Sequence, residues 1–410
     1  MLTCIRNIGL LLNPKPDGSW EEIRQAAILF DDKVVRYGAD SEILPIAAER
    51  GAELMDAAGR LITPGLVDSH THPAFAEPRP AEFEMRNLGE SYQEIAAAGG
   101  GIRSSVRALR AISEEELVSR MMPRLDRFLE YGTTTIEAKS GYGLSTEQEL
   151  KQLRAIKHCN ENHPLELVPT LLAAHEVPDE YRQDRKKYLD IVLNETIPVA
   201  AQQGLAKFCD VFCEEGVFSI EESRRVLLKG KEHGLIPKIH ADQLSNTGGA
   251  ELAAEVGAAS AEHLDYISDE GIEKMKKAGV VFTLLPGAVI FLGLNRYPPA
   301  RRILEKGGTL ALATDFNPGS SATQNLPLMT TLTCVFCKLT VRQALWAATL
   351  GGACALRLED RLGSLESGKQ ADLVIWNCDD ERQIPYYFGM NLVENVFKAG
   401  KQVVKNGKII

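Results

Sequence analysis

The chain has 410 residues, of which 44% are hydrophobic and 25% are charged, and this ordinary globular composition excludes a disordered or fibrous protein. The formal net charge of −10 argues against nucleic acid as the main partner, because phosphate binding requires clustered Lys and Arg. The longest uncharged run, residues 278–294, is interrupted by Pro286 and Gly287 and is too short to predict a membrane helix. We expect a cytoplasmic protein, since the N-terminus shows no secretory signal and the cysteines are scattered.

Both ends of the chain have a β-rich pattern. Strand-like segments at Ala26–Phe30 and Lys33–Tyr37 follow a turn signal at residues 16–18. Similar segments recur between residues 363 and 410. We therefore predict a small β-sandwich built from both termini, with residues 1–63 as its first part and residues 361–410 as its second.

The middle of the chain, residues 64–360, alternates short apolar runs with longer amphipathic runs. The amphipathic runs predict helices, among them Ser113–Glu130, Thr146–Asn160 and Ser268–Ala278, and capping boxes begin at Ser219 and Thr340. The apolar runs have the composition of buried parallel strands: Gly65–His70, Thr133–Ala138, Leu165–Ala174, Lys207–Cys213, Ile236–His240, Ala259–His263, Val280–Leu285 and Thr309–Thr314. Strand–helix alternation implies parallel strands with right-handed crossovers, so the pattern predicts an α/β fold with a (β/α)8 TIM-like barrel.

Five of the eight histidines stand at the ends of predicted barrel strands. His70 and His72 end the first strand, where residues i and i+2 point the same way and can chelate one ion. Later strands end in further polar residues: His175, His240, His263 and Asp315. Because functional residues of such barrels lie at the carboxyl ends of the strands, this pattern favours a metal site over ordinary packing.

Imidazoles and a carboxylate suit a divalent ion such as Zn²⁺ or Fe²⁺. Such an ion lowers the pKa of a bound water towards about 7, which provides a nucleophile at neutral pH. We expect Asp315 or His263 to take the proton of this water and return it to the leaving nitrogen. We expect His175 to stabilise the developing oxyanion.

Several segments resemble the metal-dependent amidohydrolase superfamily and, more narrowly, the imidazolonepropionase family of histidine degradation. Pro64–His72 resembles the opening signature of the superfamily, and Gly363–Leu373 resembles its return to the β-sandwich. The narrower resemblance rests on five further segments: Gly99–Ile102, Glu137–Gly143, Cys209–Gly216, Ile239–Ser245 and Thr314–Ser320. Together these segments span nearly the whole chain.

The resemblance implies a hydrolase that opens the ring of 4-imidazolone-5-propanoate to give N-formimidoyl-L-glutamate, with one Zn²⁺ or iron ion (Fe²⁺ or Fe³⁺) per subunit. The metal ligands that it implies are His70, His72, His240 and Asp315. The substrate contacts that it implies are Arg79, Tyr142, His175, Gln243, Asn317, Gly319 and Ser320. We expect a small-molecule substrate with a propionate group, no nucleic acid or membrane partner, and a homodimer as the assembly to test.

The residues themselves leave the anion-binding arginine open. A guanidinium binds a carboxylate bidentately, so Arg79 suits a propionate. However, other arginines lie nearby in the sequence and suit it equally well: Arg86, Arg103, Arg107 and Arg110.

The acid–base group and the number of metal ions also follow from residue types. Gln243, although placed in the site, cannot act as a general base, so we expect it to orient the ring while Asp315 or His263 moves the proton. Lys139 ends the second predicted strand, whereas binuclear relatives use a carboxylated lysine of the fourth strand. We therefore predict one metal ion, with Lys139 as a supporting charge.

Two other functions remain open at this point. A deaminase acting on a heterocycle would use the same metal site and release ammonia. A non-enzymatic protein of this fold would be an assembly module, and it would be expected to lose the metal ligands that this chain retains.

Overall fold

The computed structural model describes residues 2–90, 94 and 99–410, so residues 1, 91–93 and 95–98 lie outside the described part. The strands form two sheets. In chain order they are β1 Thr3–Pro14, β2 Trp20–Phe30, β3 Val34–Ala39, β4 Glu53–Asp56, β5 Leu61–Pro64, β6 Leu66–Asp68, β7 Thr133–Lys139, β8 Glu166–Ala174, β9 Phe208–Cys213, β10 Ile236–Pro237, β11 Ile239–Ala241, β12 Ser260–His263, β13 Val281–Leu284, β14 Leu310–Leu312, β15 Leu373–Trp376, β16 Val393–Lys398, β17 Lys401–Lys405 and β18 Lys408–Ile409.

Most helices of the described residues lie between successive strands of the second sheet. They are α1 Asp40–Glu49, α2 Pro80–Asn87, α3 Ile102–Ala111, α4 Glu114–Glu130, α5 Thr146–Asn162, α6 Arg185–Ile191, α7 Ile197–Gln202, α8 Ile220–Glu232, α9 Gly249–Val256, α10 Asp269–Ala278, α11 Pro286–Phe291, α12 Ala300–Glu305, α13 Leu326–Phe336, α14 Val341–Trp346, α15 Gly352–Ala355 and α16 Gln383–Tyr386. Short 3₁₀ or π segments occupy Asp179–Tyr181, Val192–Thr196 and Ala347–Gly351. None of the helices in this described part is long and apolar enough to cross a membrane.

The first sheet combines the two ends of the chain, as the sequence predicts. Its strand order is β18-β17-β16-β15-β5-β1-β2-β3, with β4 beside β1, so β15 near the C-terminus pairs antiparallel with β5. The sequence pattern predicts only strands and turns in this region, whereas the structure also forms the helix α1, which contains Pro45. It forms because Ile43 and Ala47, one turn apart, pack on Cys4 and Leu29 of the sheet.

The second sheet is the predicted (β/α)8 barrel. Its strands are parallel in the order β14-β13-β12-β11-β9-β8-β7-β6, with β10 beside β9. Beyond the ends of β6 and β14 the chain closes the barrel, since Asp315 N donates to His70 O at 3.1 Å and His72 N donates to Phe316 O at 2.8 Å. Closure therefore brings His70, His72 and Asp315 side by side at the carboxyl ends of the strands.

Local sequence signals explain why the barrel helices form where they do. In α4, Ser113 Oγ caps the first turn by accepting from Glu116 N, and the buried face includes Leu117, Met121 and Leu125 at four-residue spacing. Ser219 and Thr340 both form the capping boxes that the sequence predicts. Of these helices, α4 packs on β7 and α8 packs on β9.

Candidate metal centre

Three histidines meet at the carboxyl end of the barrel. One ring nitrogen each of His70, His72 and His240 lies within 4.8 Å of the other two, and all three residues are buried. His70 Nε2 and His72 Nε2 face each other at 3.2 Å. Asp315 Oδ1 lies 3.4 Å from the former and 3.6 Å from the latter.

These separations match those around one small cation. Ligand atoms about 2.0–2.1 Å from a tetrahedral zinc ion lie roughly 3.3 Å from one another. The measured spacings of 3.2, 3.4 and 3.6 Å are close to that value. Two imidazole nitrogens that face each other without a shared proton repel, and a cation between them removes this repulsion. The donor set therefore fits a divalent ion.

Burial sets the protonation of these groups. It lowers the pKa values of His70 and His72 well below the ordinary histidine range, and neighbouring positive charges lower them further, so both rings are neutral at pH 7. Burial raises the pKa of Asp315 to about 7. Neutral imidazoles and a carboxyl poised near neutrality are the forms that metal binding and proton transfer require.

Two more histidines and a tyrosine surround the cluster. The His175 ring stacks on His72 at 5.5 Å, and Tyr142 lies 5.6 Å from His175. The His263 ring lies 5.4 Å from His240 and 5.6 Å from His70. The structure thus brings together all five histidines that the sequence places at strand ends.

The hydrogen bonding of His175 defines its tautomer. Its Nδ1 lies 3.0 Å from Gly141 O, and a carbonyl only accepts, so Nδ1 carries the proton. Burial, followed by the charge of His240, lowers the pKa of His175 to about 3. The ring is therefore neutral and its Nε2 is a hydrogen-bond acceptor.

A buried group of charges lies beneath the histidines inside the barrel, and sequence analysis singled out only Lys139 of it. Lys139 Nζ lies 2.6 Å from Asp210 Oδ2 and 2.9 Å from Glu137 Oε2, and Lys238 Nζ lies 2.9 Å from the same Glu137 oxygen. Glu262 completes the group, with Oε1 3.4 Å from Lys238 Nζ. The signal was present in the sequence, because each of these charges interrupts an apolar strand.

This group, three carboxylates and two ammonium groups, contacts the clustered histidines from below. Asp210 Oδ2 lies 3.0 Å from His240 Nδ1, and Glu262 Oε2 lies 3.8 Å from His70 Nδ1. Burial alone would raise the pKa of Asp210, but His240 and Lys139 outweigh burial and hold it well below its usual range. A carboxylate at Nδ1 directs the opposite nitrogen of the ring towards an ion.

Arg79 differs from its neighbouring arginines in keeping two buried donors without a hydrogen bond among the described residues, although it forms an ion pair with Glu82. Its Nε and Nη1 are buried without a hydrogen-bond partner in the part of the chain that the structure describes, and Glu82 is 3.6 Å away. The four alternatives are engaged: Arg86 with Gly319 O, Arg103 with Asp179, Arg107 with Gly99 O and Arg110 with Glu180. A buried guanidinium with free donors is the group that would bind an anion.

The loop after β14 places Arg79 and Asp315 relative to each other. Asn317 Nδ2 donates to Asp315 O and Ser320 Oγ, while its Oδ1 accepts from Gly319 N and Ser320 N. The Asn317 amide is thus fully used within the loop. Ser320 Oγ lies 3.2 Å from Asp315 Oδ2, and a Cβ on Gly319 would overlap the Arg79 guanidinium.

Gln243 follows β11 on a loop that a neighbouring carboxylate holds. Its backbone N donates to Glu214 Oε2 at 3.1 Å, as does Leu244 N at 2.8 Å. The side chain of Gln243 is 8% exposed. Glu214 is a further residue that the sequence analysis did not single out.

Comparison with known proteins agrees with this architecture. The family model described as Amidohydrolase family matches residues 76–409. A protein named Imidazolonepropionase from Geobacillus kaustophilus (strain HTA426) is 49% identical over 378 residues, which cover 92% of this chain and 89% of that protein. One of the same name from Myxococcus xanthus (strain DK1622) is 45% identical, with coverage of 96% and 92%. A crystal structure of an adenosine deaminase from Xanthomonas campestris with bound zinc superposes with a TM-score of 0.74 at 18% identity, over 100% of this chain and 94% of that one, and shows the shared fold alone.

Proposed function

The chain belongs to the amidohydrolase family and, within it, to the imidazolonepropionases, and from that premise we propose how its buried residues perform the reaction. The enzyme hydrolyses imidazolonepropionate in histidine degradation. We assign a single divalent ion to His70, His72, His240 and Asp315, either Zn²⁺ or iron. The single observation that carries this assignment is the convergence of ligand atoms: those of His70, His72 and Asp315 are 3.2–3.6 Å apart, and a ring nitrogen of His240 lies within 4.8 Å of those of His70 and His72.

The ion, when bound, supplies Lewis-acid activation of a water molecule and of the ring carbonyl. Asp315 takes the proton of the attacking water on Oδ2, the oxygen that Ser320 Oγ contacts. This carboxyl would hold the proton and then pass it to the leaving ring nitrogen. His263 is the second candidate for this transfer, because its Nδ1 is buried without a partner.

We assign His175 a role other than the contact with the oxyanion that the sequence suggests. Its Nε2 is an acceptor, because Nδ1 donates to Gly141 O. We assign Nε2 to accepting an N–H of the imidazolone ring, which would orient the ring against the metal centre. The neutral ring has no second proton to donate to a developing oxyanion.

Arg79 is assigned to the propionate of the substrate. Its buried Nε and Nη1 are free to donate, and its guanidinium lies against Gly319 at the rim of the site. Tyr142 and Gln243 would contact the ring, and Asn317 would hold the loop rather than touch the substrate. A propionate bound at Arg79 would accept hydrogen bonds from the two donors that the ion pair with Glu82 leaves unsatisfied.

We assign a second copy of the chain to an exposed apolar surface formed by Phe336, Tyr386, Phe388 and Met390. Phe336 ends α13, Tyr386 ends α16, and Phe388 and Met390 follow α16. The two helices are in contact, since Thr331 Oγ1 donates to Pro385 O at 2.9 Å. Contiguous exposed apolar surfaces commonly mark protein interfaces. Light scattering should give a dimer for the wild type and a monomer for Phe388→Ser, and a monomeric wild type would exclude this assembly.

We assign the enzyme to the cytoplasm on the state of its cysteines. All eight cysteines are free, including Cys334 and Cys337 of the C-x-x-C sequence. Free, mostly buried thiols suit a reducing compartment. Fractionation of cells should find the enzyme with cytoplasmic markers.

The test of the proposed mechanism is the loss of ultraviolet absorbance of freshly generated imidazolonepropanoate. Metal-replete protein should consume the substrate without releasing ammonia, and chelated protein should not. Turnover that survives complete removal of metal would contradict the assignment of the ion. Release of ammonia would instead indicate a deaminase.

A further inference from the structure

The loop that carries Tyr142 is held by side chains of a neighbouring helix. Gly141 N donates to Glu149 Oε2 at 3.0 Å, while Gly143 N and Leu144 N donate to Glu149 Oε1 at 2.8 and 2.7 Å. Glu149 lies near the start of α5 and is completely buried. One carboxylate therefore accepts three of the four amides of residues 141–144.

Gln152, one turn further along α5, accepts the remaining amide. Tyr142 N donates to Gln152 Oε1 at 3.0 Å, and Gln152 Nε2 donates to Ala74 O at 2.7 Å. Ala74 lies on the chain between His72 and Arg79. Glu149 and Gln152 share one face of α5, so this face connects two loops at the carboxyl end of the barrel.

The carbonyl groups of the same loop are bound from the opposite side. Arg110 Nε donates to Gly143 O at 2.8 Å, and Arg110 Nη2 donates to Leu144 O at 3.0 Å. Gly141 O accepts a hydrogen bond from His175 Nδ1. Gly141 itself has a φ of 108°, a conformation that favours glycine. A misplaced loop would therefore move both the Tyr142 ring and the carbonyl that fixes the His175 tautomer.

We propose that Glu149 is a positioning residue for the reaction: its carboxylate holds loop 141–144 in the geometry that aims Tyr142 and His175 at the substrate. Carboxylates that accept several backbone amides form strong, directional bonds, and this one lies in a buried setting where they are strongest. The inference rests on the proposed function, since that function assigns Tyr142 and His175 to the substrate.

The decisive variant is Glu149→Gln, with Glu147→Gln as its matched control. Glutamine keeps the shape of Glu149 but replaces one carboxylate oxygen by an amino group, which cannot accept an amide N–H. Glu147 lies in the same first turn of α5 on its exposed face. Glu149→Gln should lower kcat/KM 10- to 100-fold at unchanged metal content, while Glu147→Gln should match the wild type.

A double-mutant cycle separates positioning from general loss of structure. If Glu149 acts partly through Tyr142, Glu149→Gln should lower kcat/KM by a smaller factor in the Tyr142→Phe background than in the wild type. Hydrogen–deuterium exchange gives a readout that needs no substrate. The peptide covering residues 140–145 should exchange at least tenfold faster in Glu149→Gln than in Glu147→Gln.

Each outcome decides the inference. Equal exchange and equal kcat/KM in the two variants, or full additivity with Tyr142→Phe, would overturn it. A wild type that does not consume imidazolonepropanoate would refute the proposed function, and the exchange rates alone would then decide whether Glu149 holds the loop. If Glu149→Gln does not fold, Glu149→Asp takes its place, because the shorter carboxylate cannot reach all three amides; its equality with Glu147→Gln in exchange and kcat/KM would overturn the inference.

Discussion

Replacement of Asp210 by asparagine tests whether the buried charges beneath the histidines support the metal ligands. Asp210 Oδ2 lies 2.6 Å from Lys139 Nζ and 3.0 Å from His240 Nδ1, and all three side chains are buried. Removing one partner of a buried ion pair costs about 3–5 kcal/mol of unfolding free energy. Lys139 keeps Glu137 at 2.9 Å, so we expect a loss at the lower end, about 3 kcal/mol.

Metal affinity should fall in the same variant, because the carboxylate no longer directs the His240 ring. Loss of such a supporting contact typically weakens metal binding about 10- to 100-fold, which corresponds to about 1.4–2.8 kcal/mol. The assay is competition for Zn²⁺ with a chromophoric chelator, alongside urea unfolding. The control is Asp190→Asn, since the Asp190 side chain is 46% exposed. Wild-type zinc affinity in Asp210→Asn would show that this carboxylate does not support the His240 ligand.

Three further outcomes are expected. Arg79→Met should raise KM about 10- to 100-fold with little change in kcat, because a charged hydrogen bond worth about 1.5–3 kcal/mol is lost. Equal KM values in Arg79→Met and the control Arg103→Met would exclude the propionate contact. Gly319→Ala should also raise KM, since its Cβ displaces the Arg79 guanidinium; an unchanged KM would show that the guanidinium is not needed there. Zinc affinity should fall about tenfold per pH unit below about 7, because Asp315 must lose its proton to bind, whereas His70 and His72 are already neutral there. Chelator competition measures this affinity, and a flat profile from pH 8 to 6 would count against Asp315 as a ligand.

The barrel and its cluster of histidines could be predicted because both depend on local patterns. Eight buried strands separated by helices admit few topologies, and the carboxyl ends of parallel strands meet at one end of the barrel. Residues at those ends, such as His70, His240 and Asp315, therefore come together whatever the exact register. The observed register adds the closure through His72 N and Phe316 O, which no periodicity in the sequence specifies.

Hydrogen bonds and ion pairs between side chains far apart in the sequence could not be predicted in the same way. Arg79 and Arg86 look equivalent in sequence, and only the folded chain shows that Arg86 donates to Gly319 O while Arg79 keeps free donors. Asp210 interrupts an apolar strand, but whether such a charge is paired depends on the neighbouring strands. The helix α1 forms against the local preference of Pro45, because burial of Ile43 outweighs that preference.

The central claim is that one divalent ion is held by three imidazoles and one carboxylate. X-ray absorption spectroscopy of zinc-reconstituted enzyme, with the metal content measured on the same sample, tests it directly. We expect one ion per chain with three nitrogen ligands and at least one oxygen ligand, and loss of one nitrogen ligand in His240→Ala. Two ions per chain, or an unchanged ligand set in His240→Ala, would contradict it.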